Sequence, residues 1–233
     1  MGDRGIGPGA RVADLGCGPA AVLLELRERV GVHGVLRGVD ADPDMVERAR
    51  ADAAAAGADN VGVSRGDADD SGLPAGEFDC VLVRLVLLHN GGREQAIVDH
   101  AASLVRPGGV VFLYDLDTTM VRVVPPTAPV SEMGERFHDY QRRVGNDPGV
   151  GTRLPELLES AGLTVEAFRG QCRTGRRNPG QRGPIWAARR AMLAQGVVTE
   201  EDLDRWDREF AVLEAAPVQP WMVVSVFTAL GRR

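Results

Sequence analysis

Residues 11–20 read RVADLGCGPA, and this stretch decides the fold. A short apolar run ends at Asp14, and the chain then passes through Gly16 and Gly18 into a segment with the apolar spacing of a helix. Glycine suits a tight turn because it adopts positive φ and lets the backbone approach a ligand closely. The stretch therefore predicts a strand, a tight turn and a helix N-terminus, the first unit of an α/β fold.

The acid before the turn restricts the ligand that the turn can hold. A dinucleotide-binding turn, G-x-G-x-x-G, seats a pyrophosphate on the helix N-terminus, and its third position falls on Ala21, which that pattern tolerates. Asp14 would face such a pyrophosphate with like charge. The sequence therefore favours a cationic ligand and ranks a nicotinamide-dependent oxidoreductase as a lower alternative.

The pattern D-x-G-x-G-x-A, formed by Asp14, Gly16, Gly18 and Ala20, resembles motif I of the class I S-adenosylmethionine (SAM)-dependent methyltransferases. The cofactor of that family carries an ammonium and a sulfonium and no phosphate. The commonest form of the motif has a third glycine where this chain has Ala20, a small residue that still permits close packing. The resemblance implies a Rossmann-like α/β fold with a seven-stranded, mostly parallel sheet, helices on both faces and an antiparallel last strand.

Two further acids follow in the order that the resemblance implies. Asp40 closes a second short strand 26 residues after Asp14, the length of a strand–helix–strand unit, and can accept two ribose hydroxyl hydrogen bonds. The triplet Gly66-Asp67-Ala68 resembles the family's adenine site, where the aspartate receives the exocyclic amine. Each acid alone is compatible with a loop carboxylate or a helix cap, but the ordered set favours a cofactor site.

The resemblance thus assigns the cofactor SAM to loops that follow the strands. The assigned residues are Asp14, Gly16, Cys17, Gly18, Asp40, Ala41, Met45, Gly66, Asp67, Ala68, Arg84 and His89. No metal is expected, because metal-dependent relatives use an acid after the fourth strand and this chain has no matching one.

Methyl transfer needs alignment and, for a protonated nucleophile, a base worth about 10²–10⁴ in rate. Three residues are candidates for this base: His89 after the fourth strand, Asp117 at the end of the fifth, and His138. Each has a structural alternative, namely a packing or helix-terminal histidine at 89, a loop carboxylate at 117 and a solvated side chain at 138.

Composition narrows the function class. The chain has 233 residues, is 44% apolar and carries a formal net charge of −6, which disfavours a nucleic-acid-binding protein. Its three cysteines form no C-x-x-C pair, so a reduced, cytoplasmic protein is expected. No apolar stretch of about 18 residues and no export leader appear, so no membrane partner is expected.

A single domain over residues 1–233 is predicted, with a substrate-covering insertion at about 118–151. A connection of this length is long for an α/β unit. Its apolar stripe predicts a helix that either packs onto the core or forms a lid. Hardly ten residues precede the first strand, so the sequence begins late, the site is open, or a second subunit of a homodimer covers it.

The acceptor class follows from missing motifs. The fourth strand is followed by RLVLLHN rather than [DN]-P-P-[YFW], and no Pro-Cys nucleophile occurs. These absences favour a small-molecule acceptor, with oxygen, nitrogen and carbon all open. The layout resembles bacterial small-molecule methyltransferases of the ubiquinone/menaquinone-biosynthesis-like group, many of them in natural-product biosynthesis. A SAM-binding fold diverted to a non-methylating reaction and a non-catalytic partner subunit stay as alternatives.

Overall fold

Seven strands form one sheet in the computed structural model, which describes residues 6–178, 180 and 182–233. The strands are β1 (Arg11–Leu15), β2 (Val35–Asp40), β3 (Val61–Arg65), β4 (Phe78–Arg84), β5 (Val105–Val124), β6 (Thr164–Arg176) and β7 (Trp221–Arg232). Their order across the sheet is β3-β2-β1-β4-β5-β7-β6, and β7 is the antiparallel strand. The predicted Rossmann-like fold is confirmed.

Helices connect most of the successive strands, although β3 is followed by β4 without one. They are α1 (Ala21–Val30), α2 (Pro43–Ala55), α3 (Glu94–Leu104), α4 (Ala128–Arg143), α5 (Val150–Ser160), α6 (Gly183–Ala187), α7 (Arg189–Ala194) and α8 (Glu200–Ala215). Local signals define α2 best. The side chain of Asp42 accepts a hydrogen bond from the N–H of Asp44, and Pro43 occupies the first turn. Within the described ranges, no helix is both long and apolar enough to cross a membrane.

Strand β1 lies between β2 and β4 and pairs with both in parallel. Asp14 is level with Gly38 of β2 and with Leu82 of β4. Strands buried on both faces consist mostly of apolar residues, so a carboxylate in this position departs from the rule. Because parallel strands end at the same edge of a sheet, the residues that follow β1, β2 and β4 lie together.

Two strands are longer than the sequence predicts. The apolar run 110–114 predicts a strand preceded by a turn at 106–109, but β5 begins at Val105 and its pairing with β4 shifts register between Phe78 and Cys80. The predicted turn is therefore an irregularity inside β5. The sequence predicts a strand only over Leu163–Phe168, but β6 continues to Arg176, and this extension is exposed, so no hydrophobic alternation marks it.

The chain divides into two compact units. The first comprises Met1–Asp115, Gly151–Arg169 and Phe227–Arg233, and the second comprises Leu116–Val150 and Gly170–Val226. The buried cluster of the first unit includes Val12, Leu23, Leu36, Leu82 and Val110. The residues that the sequence assigned to a substrate-covering insertion therefore fall almost entirely in the second unit.

The second unit has a hydrophobic cluster of its own. Met133 and Phe137 of α4 are buried there with Trp206 and Phe210 of α8. The spacing of Met133, Phe137, Tyr140 and Val144 predicts one apolar stripe, but Val144 follows the end of α4 and is exposed. The apolar stripe of α4 thus packs onto a core, the simpler of the two expected roles.

Candidate functional site

The turn between β1 and α1 has a left-handed backbone at three alternate positions. The φ angles are +73° at Gly16, +53° at Gly18 and +58° at Ala20. A Cβ atom on Gly16 would lie 2.4 Å from Cγ2 of Val86, whereas one on Gly18 would meet nothing within 4 Å. Ala20, the position where the motif usually has glycine, is fully buried and adopts the left-handed conformation without being glycine.

A buried carboxylate lies directly before this turn. Asp14 is 1% exposed, and neither of its oxygens has a hydrogen-bond partner among the described residues. Burial raises the pKa of Asp14 to about 7, against the opposing influence of Arg84 and with a smaller contribution from Asp40. An unpaired buried carboxylate is costly, so this position is suited to a cationic ligand.

Asp40 holds the turn from the end of β2. Its Oδ2 accepts a hydrogen bond from the N–H of Gly18 at 2.8 Å, and its Oδ1 accepts one from the N–H of Asp42 at 3.0 Å. A carboxylate has about four acceptor positions, so two remain for a ligand. The sequence analysis assigned Asp40 a ligand role only and missed that it also positions the turn.

The predicted adenine loop follows β3 at the same edge. The N–H of Gly66 donates to the carbonyl of Asp40 at 3.1 Å, and a Cβ on Gly66 would approach Val39 to 2.9 Å. Asp67 is exposed, with Nη2 of Arg93 3.7 Å from its Oδ1. Ala68 is half-buried. Gly66 thus lets the loop lie close to β2.

Arg93, at the start of α3, contacts this loop and was missed by the sequence analysis. Its guanidinium pairs with both carboxylate oxygens of Asp69, which lowers the pKa of Asp69. Arg93 precedes α3, and no local motif marks it as a partner of residues 24 positions earlier.

The remaining predicted ligands lie at the same edge. Ala41 is exposed and Met45 half-buried at the start of α2, and Arg84 is half-buried at the end of β4. Cys17 is buried in the glycine turn, and burial raises the pKa of its thiol to about 12. The thiol therefore stays protonated at neutral pH.

The three candidate bases fall in different units. His89 belongs to the first unit, in the short 3-10 helix Leu87–His89, and partial burial of its imidazole lowers its pKa. In the second unit, Nε2 of His138 lies 2.9 Å from the carbonyl oxygen of Thr118 and must carry its hydrogen, because a carbonyl only accepts. Asp117 is buried and accepts hydrogen bonds from the N–H and the hydroxyl of Thr119.

Comparison with known proteins identifies the family. Residues 12–109 match the family described as Methyltransferase domain. An aklanonic acid methyltransferase from Streptomyces sp. strain C5 is 35% identical over 104 residues, which cover 45% of this chain and 47% of that protein. A nocamycin O-methyltransferase from Saccharothrix syringae is 38% identical over 106 residues, covering 46% and 38%. A ubiquinone biosynthesis O-methyltransferase from Methylobacterium nodulans is 34% identical over 158 residues, covering 65% and 59%.

The chain carries a methyltransferase domain, similar to that of the class I SAM-dependent methyltransferases, over residues 12–109. Solved structures share the fold of this methyltransferase. The YcgJ protein from Bacillus subtilis aligns with a TM-score of 0.64 and 16% identity over 98% of this chain and 94% of that one. A geranyl diphosphate methyltransferase in complex with SAM aligns with a TM-score of 0.59 and 14% identity over 98% and 80%. The methyltransferase spans less than two thirds of the length of the three curated relatives named above.

The geometry of the methyltransferase site fits the family's cofactor. SAM carries an ammonium and a sulfonium. Asp14 is buried without a hydrogen-bond partner in the part of the chain that the structure describes. Its raised pKa leaves it partly protonated at neutral pH, so a cation placed beside it would favour its ionised form. Because Gly16 and Gly18 have no side chains, the backbone of the turn can approach a ligand closely. The free acceptor positions of Asp40 suit a ribose diol.

The two glycines of the turn provide a matched pair of substitutions. We expect Gly16→Ala to lower the free energy of unfolding by about 2–4 kcal/mol, because it combines a left-handed backbone with the contact to Val86. Gly18→Ala keeps only the backbone penalty and should cost about 1 kcal/mol. Urea denaturation of the two variants without cofactor measures the difference. Equal losses would show that Val86 moves aside freely.

Asp14 makes the stability of the methyltransferase depend on pH. The pKa of Asp14 is about 7 in the folded state and about 4 in the unfolded state. Between pH 4 and pH 7, the folded state therefore binds more protons than the unfolded state. Protonated Asp14 therefore contributes its full stabilisation below the unfolded pKa of about 4, and this stabilisation is lost as the pH rises through the folded pKa of about 7. We expect the advantage of Asp14→Asn over the wild type to grow by about 3 kcal/mol from pH 5 to pH 8. Urea denaturation at both pH values measures it, and a constant difference would contradict burial of the charged form.

Proposed function

We propose that this chain transfers a methyl group from SAM to a small-molecule acceptor. The buried, unpartnered carboxylate of Asp14 beside a left-handed glycine turn is the observation that carries the proposal. A pyrophosphate-bearing nucleotide would meet a negative charge there, whereas a cationic donor would neutralise it. Membership of the methyltransferase family points to the same donor.

The chain's own residues would bind and align the two reactants. Asp40 would accept hydrogen bonds from the ribose, and Asp67 would accept one from the adenine amine, as predicted from the sequence. When bound, SAM supplies a methyl group on a cationic sulfur that is open to nucleophilic attack. Alignment of reactants can lower a barrier by about 7–11 kcal/mol in the best intramolecular cases, so a site of this kind depends mainly on geometry.

His89 is the candidate that best suits the role of a base. As the new carbon–nucleophile bond forms and the carbon–sulfur bond breaks, a protonated nucleophile must also lose its proton. The lowered pKa of His89 keeps its imidazole neutral at pH 7 and able to accept that proton. His138 and Asp117 already contact the backbone near residues 118 and 119, so they rank below His89.

We further propose an oxygen of an organic natural product as the methylated atom. Two of the three curated relatives named above are called O-methyltransferases, and the names of two contain a small organic molecule, aklanonic acid or nocamycin. Phenols, enols and carboxylic acids are therefore the first acceptors to test. Nitrogen and carbon nucleophiles form the second group of the same screen.

Cofactor binding tests the proposal first. We expect the wild type to bind SAM in calorimetry and Asp40→Asn to raise the dissociation constant about tenfold or more, because hydrogen bonds to a charged acceptor are lost. Asp44→Asn is the matched control, since Asp44 is an exposed acid in the first turn of α2 and should leave the constant unchanged. NAD and NADP are titrated in parallel. Binding of either nucleotide without binding of SAM would overturn the proposal.

Turnover tests the role of His89. We expect methylated product and S-adenosylhomocysteine with a suitable acceptor. His89→Ala should lower kcat by about 10²–10⁴, a larger change than any in the dissociation constant of SAM. His138→Asn is the comparison variant and should lose much less. Mass spectrometry detects the net gain of one CH₂ group in the product. Unchanged kcat in His89→Ala would remove His89 as the base, and consumption of SAM without a methylated product would indicate a diverted reaction.

A further inference from the structure

Helix α3 holds the predicted adenine loop at two points within the first unit. Arg93, at the start of the helix, pairs with Asp69, and its Nη2 lies 3.7 Å from Oδ1 of Asp67. Seven residues farther on, His100 lies within hydrogen-bond distance of Ser71. Seven residues make two turns of a helix, so both attachments come from one side of α3.

Ser71 closes the base of this loop. The N–H of Asp70 donates to the carbonyl of Asp67 at 3.2 Å, so residues 67–70 form a tight turn. A Cβ atom on Gly66 would lie 3.2 Å from the carbonyl oxygen of Ser71, which places the two ends of the turn in close contact. Ser71 is buried. The position of Asp67 therefore depends on how Ser71 is held.

One ring nitrogen of His100 holds Ser71. The backbone N–H of Ser71 donates to Nε2 of the ring at 3.1 Å, and the Oγ of Ser71 lies 2.7 Å from the same nitrogen. The N–H of Leu73 donates to this Oγ at 3.2 Å, which leaves the hydroxyl hydrogen to point at Nε2. A nitrogen that accepts from a backbone N–H carries no hydrogen, so the ring of His100 is neutral and has its hydrogen on Nδ1.

The surroundings of His100 favour this neutral form. Partial burial lowers the pKa of His100, against the opposing influence of Asp70 and Asp69 in the loop. Two arginines lie on either side along the helix. Arg93 is paired with Asp69, and Arg233 donates to backbone carbonyls at the end of α3.

We infer that His100 is a positioning residue for the adenine group of the methyl donor, because its neutral imidazole holds Ser71 and the loop closed by Ser71 presents Asp67. This inference rests on the proposed function, in which Asp67 accepts from the adenine amine. A proton on Nε2 would remove the acceptor for both donor groups of Ser71 and free the loop. His100 acts through Asp67, so its effect on the donor should vanish where Asp67 is absent.

A double-mutant cycle tests this dependence. Dissociation constants for S-adenosylhomocysteine are measured by calorimetry at pH 8 for the wild type, His100→Ala, Asp67→Ala and the double variant. Each single substitution should weaken binding about tenfold, and the double variant should stay within about twofold of Asp67→Ala. His33→Ala removes an exposed histidine between α1 and β2 and is the control that should leave the constant unchanged.

A conservative variant separates positioning from a general loss of folding. His100→Gln replaces the ring nitrogen with an amide oxygen that can accept from the same N–H and does not titrate. Its dissociation constant for S-adenosylhomocysteine should stay within about threefold of the wild-type value. This variant and the titration described next also carry the test if His100→Ala does not fold.

The titration of the imidazole gives a readout that does not depend on a variant. NMR follows the ring resonances of His100 and His33 against pH, with and without S-adenosylhomocysteine. A ligand that binds about tenfold more tightly to the neutral form should lower the midpoint of His100 by about one pH unit, because the coupling between ligand and proton is reciprocal. The midpoint of His33 should not move.

The proposed function and this inference fail in different ways. Additive losses in the cycle would overturn the inference, because His100 would then act independently of Asp67. Full affinity in His100→Ala or in Asp67→Ala, equal losses in His100→Gln and His100→Ala, or an unchanged midpoint of His100 would also overturn it. Each of these results leaves the function intact as long as the wild type binds SAM and Asp40→Asn weakens that binding. Absence of SAM binding to the wild type would defeat both.

Discussion

The hydrogen bonds accepted by the carboxylate of Asp40 hold the site together. One oxygen binds the N–H of Gly18 and the other binds the N–H of Asp42, so a single side chain fixes the glycine turn and the start of α2 at the end of β2. The carbonyl of the same residue accepts from Gly66 and brings the next loop to this point. The site thus depends on one residue that joins three loops, in addition to the parallel pairing of the strands beneath them.

Sequence reasoning succeeded where the signal is local. Asp42 and Pro43 mark the start of α2, and the acid and glycines of residues 14–18 mark the central strand and its turn, because capping and positive φ are decided by neighbouring residues. Long-range contacts escaped it. The pairing of Arg93 with Asp69 depends on how α3 meets the loop after β3, and the exposed extension of β6 carries no hydrophobic period. The roles of the predicted ligands stay predictions.

In the second unit, residues 116–150 share a hydrophobic core with helices from later in the chain. Glu132 of α4 accepts hydrogen bonds from Arg205 and from the indole N–H of Trp206, both on α8. Apolar packing of Met133 and Phe137 against α8 accompanies these bonds. The segment that looked like an isolated long connection is therefore bound to helices found much later in the chain. A covering role for it stays a prediction, but a covering segment of this kind would move with α8 and not alone.

The buried thiol in the glycine turn has a consequence for chemical self-protection. Only a thiolate attacks carbon electrophiles at a useful rate, and the environment of Cys17 keeps its thiol in the protonated form. A sulfonium compound is an alkylating agent, and a reactive cysteine beside it would be modified irreversibly. By suppressing ionisation at Cys17, the fold can place a sulfur atom against the proposed donor site without inactivating itself.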